Sequence, residues 1–285
     1  DITGKGDYLN YLPSNKFIID VDSSIVFSNG TVKKYFADSL LSPVIWEYTE
    51  TDAFKGDLAI MDILATNHWK RPVYFSTTVP ASQYKGLEKF FIKEGLAYRV
   101  APVKAGTPKP GEFGMIDPVV MYDNIMNKFR WGNASSPDVY LDENIRRMFS
   151  IFRSMFGSLA LRLIDTGDTL RATEVARKGF ELIPEKKMPH DYFSVDFAEV
   201  LLRAGFKDEG LEILNKILSY SKDYLQYCIE LLPYRRFGMD YSIGLNMQAF
   251  IDIYRMCIRL GLNELAGSIE KELNTYYSIL YSSMM

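Results

Sequence analysis

The spacing of apolar residues changes near the middle of the chain. From about residue 143 onward, apolar positions recur every three or four residues, which is the period of an amphipathic helix. Before about residue 132, the apolar runs are short, rich in β-branched and aromatic residues, and separated by Gly and Pro. The pattern predicts a small N-terminal domain of α+β or α/β class over residues 1–132, followed by an all-α helical-repeat domain over residues 138–285.

Short β-rich runs in the N-terminal part predict strands. They are Phe17–Val21, Ile25–Phe27, Val44–Tyr48, Val73–Ser76 and Leu96–Val103. A helix lies between the third and fourth of these runs, and a β-α-β order usually places its two strands parallel in one sheet. We therefore expect the third and fourth runs to pair in parallel.

That helix is predicted over Asp57–Thr66. Met61 and Leu64 fall on one face at helical spacing, while charged and polar residues fall on the other. Asp57 can cap the start of the helix and Asn67 can end it.

The pattern of the C-terminal half predicts helices separated by short turns. A Gly, Ser and Pro-rich segment, Gly132–Pro137, is the predicted linker before them. The predicted helices are Glu143–Thr166, Thr169–Ile183, Tyr192–Ala204, Glu209–Leu232, Ser242–Leu260 and Glu264–Tyr281.

Three of the turns share one pattern. Each has a glycine between two helices, a small residue five positions later and a β-branched residue eight positions later. The glycines are Gly167, Gly205 and Gly261, the small residues Ala172, Gly210 and Ala266, and the branched residues Val175, Ile213 and Ile269. This is typical of tetratricopeptide-like helical hairpins, with small residues where paired helices approach closely. A helical bundle without repeats is the alternative.

Composition excludes several classes of function. The 285 residues carry 33 Lys and Arg against 36 Asp and Glu, so no net positive charge draws the chain to nucleic acid. Two histidines and two cysteines leave little material for a metal site, and none is expected. No phosphate-cradling or dinucleotide-binding motif occurs, so no cofactor is expected either. Cys228 and Cys257 lie on apolar helices, where buried thiols are expected unless an oxidising compartment pairs them.

One motif favours an enzyme. The strand Phe17–Val21 carries Asp20 and Asp22 in an Asp-x-Asp pattern, which resembles the start of haloacid-dehalogenase phosphatases, and Gly56–Asp62 resembles their later acidic motif. The two motifs are too close in sequence for the strands that should separate them. Phosphatase activity is therefore kept as an alternative, and no catalytic residue is assigned.

The segment Asn67–Ser76 is the strongest candidate for binding. Trp69 or Tyr74 can offer a sugar-stacking face, and Lys70 and Arg71 can hold a phosphate or carboxylate, with Arg99 as a further candidate. The structural alternative is that the two cations only complement the dipole at the end of the preceding helix.

The order of several segments resembles a bacterial family of membrane proteins. The segments are Tyr11-Leu12-Pro13, Gly56–Asp62, Asn67–Phe75 and Gly95–Val100. They are similar to the soluble C-terminal region of a family of unknown function that is related to protein O-mannosyltransferases.

The resemblance implies a module outside the cytoplasm, facing the periplasm of a Gram-negative cell. Transferases of this kind act on lipid-linked sugars, with their catalytic acid in a loop between membrane helices near the start of the protein, so the resemblance assigns no catalytic residue here. The first residue, Asp1, is not Met, which fits a tail that follows membrane helices. We expect a non-catalytic module of a glycosyltransferase-like membrane protein that binds an acceptor protein, a glycan or a partner subunit. A standalone periplasmic protein that binds glycans or other proteins is the alternative.

Overall fold

The structure is a computed structural model that describes residues 12, 14–105, 113–231, 234 and 239–282, with the side chains of 281 and 282 left out. The chain divides into two compact units, Asp1–Met121 and Tyr122–Met285. Parts of three sequence features lie outside the described residues: the Tyr11 and Pro13 positions, the Gly- and Pro-rich segment 106–111, whose composition predicts a loop, and Leu232.

The first unit combines short strands with two helices and single 3-10 turns. Its elements are β1 Lys16–Ile19, α1 Ser23–Ser28, a 3-10 turn at Lys34–Ser39, β2 Val44–Glu47, α2 Lys55–Asn67, β3 Val73–Ser76, 3-10 turns at Ala81–Gln83 and Leu87–Phe90, β4 Phe91–Lys93, β5 Ala97–Val100 and β6 Met115–Ile116.

These strands form two separate sheets. One consists of β1 and β2, which pair antiparallel. The other has the order β3-β5-β4-β6, in which only β4 and β6 run parallel. The expected parallel pairing of β2 with β3 is therefore wrong. Each of these strands pairs antiparallel with another partner, β2 with the preceding β1 and β3 with the later β5.

The predicted strand Ile25–Phe27 is also wrong, because these residues lie in α1. The carboxylate of Asp22 accepts hydrogen bonds from the amides of Ser24, at 2.8 Å, and Ile25, at 3.4 Å. This N-cap satisfies the free amides of the first turn. Local capping therefore outweighs the β propensity of this short apolar run.

Helix α2 confirms the predicted helix and extends it by two residues at the start. Asp57 caps it from inside the first turn, since its carboxylate accepts hydrogen bonds from the Phe54 amide and the Tyr48 hydroxyl, each at 2.9 Å. Met61 and Leu64 are buried, as the helical spacing predicted.

Aromatic side chains dominate the core of the first unit. Phe91 stacks on Tyr98 with ring centroids 5.1 Å apart, and Tyr84 meets both rings edge-on. Trp46 is buried, and its indole nitrogen donates to the Lys85 carbonyl at 2.9 Å. The Tyr84 hydroxyl donates to the Val79 carbonyl at 2.9 Å, so Tyr84 and Trp46 both have the hydrogen-bond partner that buried Tyr and Trp usually find.

The second unit is helical over most of its described length. Helix α3 Pro118–Asp123 leads into it and continues as a π-helical turn, Asn124–Lys128. The later helices are α4 Glu143–Asp165, α5 Thr169–Leu182, α6 Val195–Arg203 after a 3-10 turn at Tyr192–Ser194, α7 Lys207–Leu231, α8 Asp240–Arg259 and α9 Asn263–Ser282. The predicted helices match these closely at their described ends.

The three repeated glycine turns have the same backbone geometry. Gly167, Gly205 and Gly261 all have positive φ, at +85°, +91° and +72°. In each turn the amide of the residue after the glycine donates a hydrogen bond to the carbonyl of the residue five positions earlier. The N···O distance is 2.9 Å in all three turns. The small and branched residues that follow are buried at all three turns. A Cβ at Gly210 would lie 2.6 Å from Leu202 Cγ, which confirms close helix approach there.

The structure thus confirms the predicted fold class, with a small N-terminal α/β region followed by helices that are consistent with repeats. The predicted linker 132–137 forms turns that lie within the second unit. Among the residues that the structure describes, no helix combines the length and hydropathy needed to cross a bilayer.

Candidate functional site

A groove in the first unit runs beside β1 and has a volume of about 180 Å³. We call it the β1 groove. One wall is a consecutive run of strand residues, and the other is one face of α2, with Trp46 between them. The lining residues are Phe17, Ile18, Ile19, Asp20, Trp46, Met61, Leu64, Ala65 and His68. The helix positions are spaced by three, one and three residues, which places them on one side of α2.

The strand wall has an open backbone edge. The amide of Tyr48 donates to the carbonyl of Asn15 at 2.8 Å, which fixes the phase of the antiparallel ladder between β1 and β2. Because hydrogen-bonded pairs alternate in such a ladder, Phe17 and Ile19 direct their N–H and C=O groups towards β2. Those of Ile18 point to the opposite edge. Within the described part of the chain, no strand pairs with that edge.

The groove takes in both this edge and the inner face of the sheet, because Trp46, which pairs with Phe17 and is buried, also lines it. Side chains of β1 alternate between faces, with Phe17 and Ile19 partly buried and Ile18 71% exposed. Ile18 nevertheless lines the groove together with its two inward neighbours. Opposite Ile18 on β2 lies Ile45, which is 56% exposed, so the outer face of the small sheet carries an apolar pair.

The end of α2 closes the groove at one end. His68 and Trp69 both have positive φ, at 47° and 58°. The side chain of Asn67 holds this turn, because its amide group contacts the backbone of Arg71 at both the N–H, at 3.0 Å, and the carbonyl, at 2.6 Å. The turn lets the Trp69 indole nitrogen donate to the Asp20 carbonyl at 2.9 Å.

The polar end of the groove consists of Asp20 and His68, which are both exposed. The alternation of β1 continues through Asp20, which therefore shares the outer face with Ile18 and Lys16. Lys16 is paired with Glu47 across the sheet at 2.9 Å. The outer face thus carries a negative charge at one end of the edge and a neutralised pair at the other.

Two of the five predicted binding residues lie in the interior. Trp69 is 6% exposed, so it offers no ring face for stacking on a sugar, which corrects that expectation. Arg99 is 3% exposed and donates to the carbonyls of Gly30, at 2.9 Å, and Thr31, while its other terminal nitrogen lies 2.7 Å from Glu94. Both side chains join distant segments of the unit.

The other three predicted residues lie at the surface. Lys70 and Arg71 are exposed in the turn after α2, and Tyr74 is half-exposed on β3. The Tyr74 hydroxyl donates to Glu94 at 3.2 Å, and Glu94 also holds Arg99. Partial burial, with the nearby Glu94 charge, raises the pKa of Tyr74. Lys70, Arg71 and Tyr74 remain a predicted binding rim.

One polar contact of the first unit has no signal in the sequence. The hydroxyl of Tyr35 donates to the carboxylate of Asp117, with both oxygens 2.8 Å away, although 82 residues separate the two. Asp117 is fully buried and also accepts from the amides of Val119 and Val120, so it caps α3. Burial, followed by the contact with Asp117, raises the pKa of Tyr35. The role of this contact is structural.

The phosphatase alternative does not fit the geometry. Its nucleophile would need a central parallel strand, whereas β1 belongs to a two-stranded antiparallel sheet. Asp22 caps α1, and its hydrogen bonds to Ser24 lower its pKa. Asp57 is buried in the cap of α2. Among the described residues, no group of three or more His, Cys, Asp or Glu side chains could hold a metal ion.

Comparison with known proteins gives one match. No curated protein and no solved structure is similar enough to the chain to be matched. A family model does match, over residues 2–120, which is less than half of the chain. The first unit ends at Met121, so the match covers almost all of it. The first unit is therefore similar in sequence to the family described as TMEM260-associated domain 2.

Proposed function

We propose that this chain is a non-catalytic binding module that engages a polypeptide, either an acceptor protein or a partner subunit. The observation that carries the proposal is the β1 groove. It joins an open strand edge, to which an extended peptide can add as a further strand, to an apolar helix face that can receive the side chains of that peptide.

The size and lining of the groove support a polypeptide ligand. Sites for small molecules and cofactors usually enclose roughly 300 Å³ or more, whereas this groove has about 180 Å³ and opens along a strand. Its apolar wall offers Met61, Leu64 and Ala65, and its polar groups are concentrated at one end. A shallow groove of this kind fits a few side chains of a chain laid along it.

The wider setting is also a proposal. The matched family is named for its association with TMEM260. Together with the resemblance to the soluble regions of O-mannosyltransferase-related proteins, this supports a module carried by a membrane glycosyltransferase-like protein, on the periplasmic side of the inner membrane. The helical region would then be a tetratricopeptide-like array that adds a second surface for partners. A standalone protein that binds a glycan is the competing proposal.

Selection from a library of random 12-residue peptides, with a glycan array in parallel, tests the proposed function on the 285-residue chain. We expect peptides rather than glycans to be enriched. Substitution Ala65→Arg fills the groove from an exposed position of α2, where Arg is a good helix former. It should weaken binding of the selected peptides at least tenfold.

Ala59→Arg is the matched control. Ala59 is exposed on the same helix but does not line the groove, and the substitution adds the same side chain and charge. It should bind the selected peptides like the wild type. Enrichment of glycans alone, or equal peptide binding by the two variants, would overturn the proposed function.

A further inference from the structure

The open edge of β1 determines how a polypeptide can sit in the groove. Ile18 is the central residue of this edge, and its N–H and C=O both point away from β2. An exposed row of unpaired backbone groups is a template for another strand. At one end of the edge the Asp20 carbonyl accepts from the Trp69 indole, and at the other the Lys16 amide donates to the Ser14 hydroxyl at 3.0 Å. Among the described residues, the backbone groups of this edge without a partner are therefore centred on Ile18.

We propose that an extended peptide adds to this edge as a third, antiparallel strand with a defined side-chain pattern. This inference rests on the proposed function and names the class of its ligand. An antiparallel partner forms both hydrogen bonds with Ile18 through a single residue. The two residues beside it then point to the inner face, towards Met61 and Leu64 of α2, and call for small apolar side chains.

Charge determines the residues at either end of the peptide. Asp20 is exposed, and the described residues supply no hydrogen bond or ion pair to its carboxylate. A basic side chain opposite Asp20 would therefore gain an ionic partner, whereas an acidic one would be repelled. At the other end lies Lys16, whose ammonium group forms an ion pair with Glu47. An acidic side chain of the peptide beside Lys16 would be attracted to the same ammonium group. The predicted order, from the peptide N-terminus, is basic, apolar, variable, apolar, acidic.

The outer face explains the variable position. The peptide residue opposite Ile18 shares its face and lies beside the exposed pair Ile18 and Ile45. A β-branched residue such as Thr suits that place, because cross-strand neighbours of this shape pack well in a sheet. The edge strand itself carries the usual protection against uncontrolled pairing, since β1 has four residues and begins with a lysine.

The test uses the wild-type chain and the probe acetyl-Lys-Val-Thr-Val-Glu-amide, with a dye on a Gly-Ser linker for fluorescence anisotropy. The matched control is acetyl-Glu-Val-Thr-Val-Lys-amide, which has the same composition and the opposite charge order. We expect the first peptide to bind at least fivefold more tightly, and Asp20→Asn to remove most of that difference. No binding of the first peptide at 1 mM, or equal or tighter binding of the second, would overturn the inference.

Backbone methylation tests the hydrogen bonds without changing the protein. In the proposed register, the Thr amide donates to Ile18, whereas the amides of both Val residues point away from β1. An N-methyl group on Thr should therefore weaken binding at least tenfold, and one on the first Val should leave it within about threefold. Equal loss from both peptides would contradict strand addition.

A proline in the strand gives a complementary test. Ile18→Pro replaces the Ile18 side chain and, in the backbone, removes only an N–H that points away from β2, a position where edge strands accept proline. We expect loss of probe binding with retained circular dichroism. Should that variant fail to fold, the methylated peptides still decide the matter. Peptides from the random library that lose binding with Ala65→Arg but keep it with Ile18→Pro would leave the proposed function standing and reject strand addition.

Discussion

A buried histidine makes the second unit sensitive to mild acid. His190 is 7% exposed, its Nδ1 lies 3.3 Å from the Ser194 hydroxyl, and its ring meets Phe180 edge-on at 5.2 Å between centroids. Burial, followed by the positive charge of Arg153, lowers the pKa of His190 to about 4. Glu185 acts in the opposite direction but does not offset them.

The sign and the size of the effect follow from linkage. In the unfolded chain the pKa of a histidine is about 6.5. Below that pH the unfolded chain binds a proton that the folded chain does not, so stability falls as the pH decreases from 6.5 to about 4. Between pH 7 and pH 4.5 the loss from His190 is about 2 kcal/mol, from the two pKa values and 1.36 kcal/mol per unit.

Hydrogen exchange at the amides of α6, the helix that follows His190, measures this loss of stability locally. The free energy of opening, corrected for the intrinsic exchange rate, is compared at pH 7 and pH 4.5 in the wild type and in His190→Gln. Glutamine keeps a hydrogen-bonding side chain and does not titrate in this range. We expect the wild type to lose about 2 kcal/mol more than the variant over this interval. Burial raises the pKa of Asp191 as well. Asp191 is present in both proteins, so its contribution to the pH dependence cancels when the wild type is compared with the variant.

A second variant separates the buried histidine from histidine content in general. His68 is exposed at the end of α2, so His68→Gln should reproduce the pH dependence of the wild type. Parallel pH dependence in the wild type and in His190→Gln would refute the reasoning, because it would mean that His190 takes up its proton equally in the folded and unfolded chain.

Two further predictions concern the first unit. Gly86→Ala should lower the free energy of unfolding by about 3 kcal/mol, because φ is +89° and a Cβ would lie 2.4 Å from the Glu47 carbonyl oxygen. Gly30→Ala, at φ +74° with only the Lys33 amine nearby, should cost about 1 kcal/mol. Urea titration followed by tryptophan fluorescence, to which Trp46 and Trp69 of the first unit contribute, would show the difference, and equal losses would contradict the steric argument. Arg71→Ala should leave this transition unchanged and should elute earlier from immobilised heparin, an anionic glycan, if the predicted rim binds anions. Elution of the variant and the wild type at the same salt concentration would reject the hypothesis that this rim binds anions.

Helices and caps were accessible from the sequence because their hydrogen bonds are local. The cap of α2 by Asp57 involves a residue three positions away, and the glycine turns close over five residues. The buried faces of α5, α7 and α9 followed from spacing for the same reason. Even here one local signal was overlooked, since Asp22 followed by serines marks a helix start where a strand was predicted.

The partners of the strands depended on the tertiary structure. A short apolar run does not specify which other run it pairs with, and pairing decides which edge stays open. The sequence therefore did not predict that β2 pairs with β1 or that the groove lies along the remaining edge of β1. The outward position of Ile18 within the alternation of β1 was the one available hint.

The sequence by itself determined the division into an α/β part and a helical part, the positions of α2 and of α4 to α9, and a segment around residue 69 rich in groups able to bind. Only the tertiary structure decided what those groups do. Trp69 and Arg99 become interior side chains because carbonyls of residues 20, 30 and 31 lie within reach of their donors. Such contacts join residues from 49 to 69 positions apart, and no local pattern encodes them. Because Trp69 is buried, the candidate site is the edge of β1 beside it and not the Trp69 ring.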